Sequence, residues 1–127
     1  MTAVGEASLD LDVVVRRGVR LFNRGRYLSA QQLWEAAWHE APGAERAFLE
    51  SLVQLAGGLH LRTRRGGEKG AEHLLQRALA TLEDFRPVRG GIDVDALIAE
   101  FGAYLEWIKE IRRPHRILDT LRIPRLR

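Results

Sequence analysis

The chain contains no cysteine, which excludes a disulfide framework, a thiolate metal site and a cysteine nucleophile. Long apolar runs are absent too. The opening stretch "MTAVGEASLDLDVVVRRG" has no basic segment followed by an apolar one, and its uninterrupted aliphatic run, Val13–Val15, is far too short to cross a bilayer. A cytoplasmic protein with no membrane partner is therefore expected. Lysine is scarce: of 20 basic residues only Lys69 and Lys109 are lysines, an arginine excess we read as compositional. Period-two alternation of apolar residues is almost missing, which argues against a sheet.

What is present suits one all-α domain. At 127 residues, 46% hydrophobic and 29% charged, the chain can bury a core but is too short to divide. Its charge is uneven. The last 16 residues, "RRPHRILDTLRIPRLR", hold six arginines and one aspartate, a net of +5. The whole chain carries +3, so the remainder is near −2 and the basicity belongs to the tail. This separates a helical domain over 1–113 from a basic tail over 114–127. The tail is expected to be irregular and to add little to the core. It is also the segment through which a nucleic acid would be bound.

Apolar residues recurring at three and four predict five main helices. Asp10 or Asp12 is placed to cap the first, which runs to Asn23. The second spans about Tyr27–Glu40, between Gly25 and Ala41-Pro42-Gly43. A third covers about Ala44–Thr63, a fourth about Glu68–Asp84, and "RPVRGG" is a loop. Asp93 caps a fifth helix that Pro114 stops, and a short turn near Ile117–Leu121 is allowed. The second and fourth helices align at an offset of 41: Gly25, Ala30, Trp34 and Ala37 correspond to Gly66, Ala71, Leu75 and Ala78. Glycine, small residues and one large residue in that order resemble the second half of a tetratricopeptide repeat, so antiparallel hairpins forming a small bundle are expected. Gly57-Gly58, inside the third helix, costs about 1 kcal/mol per glycine relative to alanine. That cost implies close approach of another backbone, from the fifth helix or a second subunit.

Two places carry candidate chemistry. On the second helix Gln31 and Glu35 lie beside the apolar arc with Trp38, and His60 falls on the inner arc of the third helix. An unpartnered polar group there costs roughly 1–3 kcal/mol, so these residues should converge where the two helices pack. A structural hydrogen-bond cluster is the leading reading. A ligand pocket walled by Trp34 or Trp38 is the next, and a Glu35–His60 acid–base pair the third. One carboxylate and one imidazole are too few for a metal, so neither metal nor cofactor is expected. The second place is "RTRRGGEKG", where Arg64, Arg65, Gly66, Gly67 and Lys69 form a basic turn before a helix N-terminus. It is either a solvated connection or an anion-binding turn.

"LFNRGRYLSAQQLWEAAWH" and "RAFLESLVQLAGGLHLRTRRGGEKGAEHLLQRALATL" together resemble the bacterial and archaeal family called domain of unknown function 309, over about Leu21–Leu82. That family carries Phe-Asn-x-Gly-x-Tyr-x-Glu-Ala-His-Glu-x-x-Glu-x-x-Trp, then a Phe-Leu-x-x-Leu-Ile-Gln-x-Ala stretch, then a His and an Arg-Gly-Asn-like turn. Phe22, Asn23, Gly25, Tyr27, Ala30, Glu35 and Trp38 match the first block. Phe48, Leu49, Leu52, Gln54, Ala56, His60, Arg65, Gly66, Gly70 and Ala71 match the second. Ser29, Gln31 and Gln32 stand where the family has Glu, His and Glu, and glutamine keeps the hydrogen bonding of histidine without its proton chemistry. The resemblance implies an all-helical fold and no established activity. The leading expectation is a non-enzymatic module that binds a protein, a ligand or a second copy of itself. The alternatives are a small-molecule enzyme using a Glu35/His60 pocket and a nucleic-acid-associated protein working through the arginine tail.

Overall fold

The computed structural model describes residues 3–65, 68–111 and 122–127. Five helices pack together: α1 (Ala3–Asn23), α2 (Tyr27–Glu40), α3 (Gly43–Arg65), α4 (Glu68–Leu82) and α5 (Val94–Ile111). Each helix packs on the next in sequence. The α1–α2 corner closes as a Schellman motif. Gly25 takes φ +79° and donates to the Phe22 carbonyl at 2.9 Å, while Arg26 N–H reaches the Leu21 carbonyl at 2.9 Å. Asp93 caps α5 as expected, its carboxylate accepting from the Ala96 N–H at 2.9 Å.

α1 begins earlier than the sequence suggests. Asp10 and Asp12 lie inside it rather than at its start, because no proline interrupts residues 3–10 and an existing helix propagates cheaply. α4 ends at Leu82, and Glu83–Phe85 tightens into a 3-10 turn. The expected loop "RPVRGG" leads into a two-stranded antiparallel ribbon, β1 (Val88–Arg89) and β2 (Ile92–Asp93). Gly90 and Gly91, at φ +58° and +79°, form its two-residue turn, which needs positive φ at both positions. So small an element leaves the fold all-helical.

The core runs through all five helices. Phe22 of α1 meets Phe101 of α5 at 5.8 Å between ring centroids, and Phe48 of α3 meets Phe85 at 5.4 Å. Two helix contacts repeat each other. Trp34 of α2 is fully buried with its indole pressed on Gly18 of α1, where any Cβ would overlap the ring. Leu75 of α4 lies on Gly58 of α3, where a Cβ would sit 3.1 Å from Leu75 Cγ and 3.2 Å from the Ala71 carbonyl oxygen. The glycine pair in α3 therefore admits neighbours other than α5 or a second subunit: Gly58 faces α4, and Gly57 faces the Gln31 side chain of α2. Consecutive positions on a helix point about 100° apart, so two adjacent glycines admit two different helices.

The end of the tail departs most from expectation. Leu126 is only 4% exposed and belongs to the core. The Asn23 side chain grips its backbone twice, donating to the Leu126 carbonyl at 2.9 Å and accepting its N–H at 2.7 Å. Asp93 N–H donates to the main-chain oxygen of Arg127 at 2.9 Å, and the Arg127 guanidinium meets Glu100 at 2.8 Å. Residues 122–127 thus strap α1 to α5. The sequence hides this because one apolar residue among arginines carries no periodic signal. The turn expected near Ile117–Leu121 lies outside the described residues.

Candidate functional site

α2 brings Gln31 against α3, and the packing covers the candidate residues there to different degrees. Gln31 is half-buried and lies over Gly57, its amide nitrogen 3.2 Å from where a Cβ on that glycine would be. Glu35 is exposed, and His60 is half-buried on α3. Trp38 is half-buried beneath the Arg46 guanidinium, 5.0 Å from its ring centroid, with His39 4.7 Å away on the same helix. No hydrogen bond or ion pair joins Gln31, Glu35 and His60 among the described residues. Glu35 lies one helical step beyond the apolar arc, close enough to the edge to reach water. Gln31 instead fills the notch left by Gly57.

Buried polar atoms sit deeper in the bundle. Trp34 Nε1 and Gln54 Oε1 have no hydrogen-bond partner. For Trp34 the cause is its fit against Gly18, which surrounds the indole with helix rather than acceptors. Burial raises the Tyr27 phenol to about 12, since the phenolate is the form that suffers in an apolar site. Tyr27 packs edge-on against Phe22 at 5.0 Å, so it helps close the α1–α2 corner. On the ribbon side, hydrogen bonding to Arg86 holds the Glu83 carboxyl below its usual range. Arg86 also reaches Asp95 at 2.7 Å, tying the 3-10 turn to the start of α5. Among the described residues no three His, Asp or Glu side chains gather as metal ligands. None of the described helices is long and apolar enough to cross a membrane.

Of the basic turn, Gly66 and Gly67 and the side chains of Arg65 and Lys69 lie outside the described residues. Arg64 is exposed at the end of α3.

One charged surface escaped the sequence reading. The second half of α1 and its exit carry Arg16, Arg17, Arg20, Arg24 and Arg26, all exposed. Among the described residues, none of the five has an ion pair or hydrogen bond from its side chain. Arg17, Arg20 and Arg24 line a shallow cleft of about 340 Å³ floored by Leu21 and Leu33. A broader cleft of about 890 Å³ lies beside Asn23 and Ala103, bounded by the docked residues 122–127. The signal was the string "RRGVRLFNRGR", whose charge a sum over the first 111 residues cancels.

Compared with known families, residues 15–74 match the one described as Domain of unknown function (DUF309). The match begins and ends somewhat before the Leu21–Leu82 stretch that carries the resemblance. No curated protein matches the chain.

Proposed function

Residues 15–74 are a DUF309-family domain, and from that premise we propose that the chain is a non-catalytic, tetratricopeptide-like module whose task is to hold a protein or ligand partner. The observation that carries the reading is the repeated packing of glycine against a large side chain, Gly18 on Trp34 and Gly58 on Leu75. Two helical hairpins built the same way fill their own interior and leave their outer faces for recognition. Glu35, exposed and unpartnered, supports the same reading. An acid–base carboxylate needs a positioned neighbour to shift and direct its proton, and His60 does not supply one.

The test begins with copurification from native cells and mass-spectrometric identification, followed by reconstitution with the purified partner. A stoichiometric complex that both Glu35→Gln and His60→Ala retain supports the module. Multiple turnover of a copurifying small molecule, lost in either variant, would replace it with the enzyme reading. Both substitutions fall at exposed or half-buried sites and should leave stability within about 0.5 kcal/mol, which thermal melting checks.

A further inference from the structure

We infer that the outer face of α1, together with the docked end of the tail, binds the phosphate backbone of a nucleic-acid duplex. The inference rests on the binding-module reading and names a partner class for it. Asn23 is the joint: its side chain grips the Leu126 backbone, and Arg125 lines the cleft beside Asn23 at the end of α1. Arg17, Arg20 and Arg24 lie one turn apart in succession and span about 10 Å along the helix axis. They form an open row rather than a closed pocket.

Local structure does not account for this row. Basic side chains in a last helical turn complement the macrodipole, and Arg20 alone occupies that place in α1. Arg16 and Arg17 lie too far from the helix end to gain from the dipole, and among the described residues no carboxylate pairs with any of the five. Across the cleft, Leu33 is flanked one turn away by Ser29, Ala30, Ala36 and Ala37, so α2 offers no negative charge there. Five like charges on eleven residues repel one another, and a polyanion relieves that repulsion.

The chemistry of the row selects among polyanions. Guanidinium groups fork onto phosphate oxygens in pairs, and an open row matches charges spaced along a backbone better than the carboxylates of a folded peptide. Among the described residues the large exposed apolar side chains are Val13, Leu28 and Val88, too few and too scattered to sink the helix into a bilayer. No aromatic side chain lines the cleft of Arg17, Arg20 and Arg24, so it offers no stacking platform of the kind used for single strands and the duplex is favoured. Without a side chain set to read base edges, binding is independent of sequence.

The experiment is fluorescence anisotropy of the full chain with a labelled duplex of about 20 base pairs, titrated between 50 and 200 mM salt. Four to five phosphate contacts predict a log–log salt slope near −4, at about 0.9 per contact. The variant Arg17→Gln/Arg20→Gln/Arg24→Gln should flatten the slope by about 2.7 and weaken binding at least tenfold at the lower salt. If the triple variant melts early, Arg17→Gln and Arg24→Gln singly should each flatten the slope by about 0.9. Arg86→Gln, which removes a paired arginine on the ribbon side, should leave the slope unchanged. No duplex binding, binding indifferent to the α1 substitutions, or capture by vesicles of anionic lipid in place of the duplex would each overturn the inference. All three outcomes are distinct from substrate turnover, which instead defeats the module reading.

Discussion

Replacing Gly18 by alanine should lower stability even though alanine is the better helix former. Propensity alone favours the change by about 1 kcal/mol in a helix interior. The new methyl, however, falls on the Trp34 indole rather than on the end of a flexible chain. Trp34 is fully buried, so the ring has no solvent to move into. Overpacking of that kind costs about 1–3 kcal/mol, and a rigid ring held from both sides belongs at the upper end. The net loss is about 2 kcal/mol, or a fall of roughly 6–10 °C in melting temperature for a domain of this size. Gly102→Ala is the control: it lies inside α5 with nothing within 4 Å of the added carbon, so it should raise the melting temperature by a few degrees. Combining Gly18→Ala with Trp34→Leu, which copies the Leu75 arrangement, should cost about 1–2 kcal/mol less than the two changes summed. Circular dichroism melts of the four variants decide it. Gly18→Ala melting at or above the parent, or a strictly additive pair, would show that the glycine is not there for the indole.

Removing residues 122–127 deletes a buried leucine, worth about 1.5–3 kcal/mol, and the paired Asn23 bonds, so a loss of about 3 kcal/mol and a melting temperature lower by roughly 10 °C is expected. Asn23→Ala should reproduce part of that fall, and an unchanged melt for both variants would mean the strap is ornamental. Alkaline stability should depend on Tyr27. Its folded value of about 12 lies above the ordinary 10.0, so the contribution is intact below pH 10 and lost as pH rises toward 12. Denaturant titrations of the parent and Tyr27→Phe at pH 9 and 11 check the sign: the parent should lose more than the variant, and equal losses would refute it.

The sequence revealed what was local. Helix spacing, the stop at Pro42 and the Asp93 cap all depend on neighbours within a turn or two, and α2 appears over the residues expected of it. The ribbon was missed because its strands are two residues long, although Gly90-Gly91 is itself a hairpin signal. The strap was illegible for a different reason. Asn23 and Leu126 stand 103 residues apart, and nothing periodic links them. The arginine row was visible as letters but vanished in a net charge, because acidic residues elsewhere in the chain cancel it without touching it. At the polar edge of α2 the helical wheel puts Gln31 and Glu35 on one side. What it could not show is that a glycine across the interface leaves a notch for one and nothing for the other.

That last point bears on where function sits in this chain. The residues that match the family resemblance are mostly those the fold consumes: Phe22, Ala30, Phe48, Leu49, Leu52 and Ala56 are buried, and Tyr27 closes a corner. The residues that depart from it, Ser29, Gln31 and Gln32, are exposed or half-buried and line the edge of α2. Exchanging Glu, His and Glu for Ser, Gln and Gln leaves the packing intact while removing two carboxylates and an imidazole from that edge. On that resemblance, an acid–base or metal site at this edge would lack two carboxylates and an imidazole. The same exchange takes negative charge off α2, the helix whose Leu33 faces the arginines of α1 across their cleft. If the α1 arginines hold a polyanion as inferred, a neutral Ser29 one turn from Leu33 suits that cleft better than the carboxylate the resemblance places there.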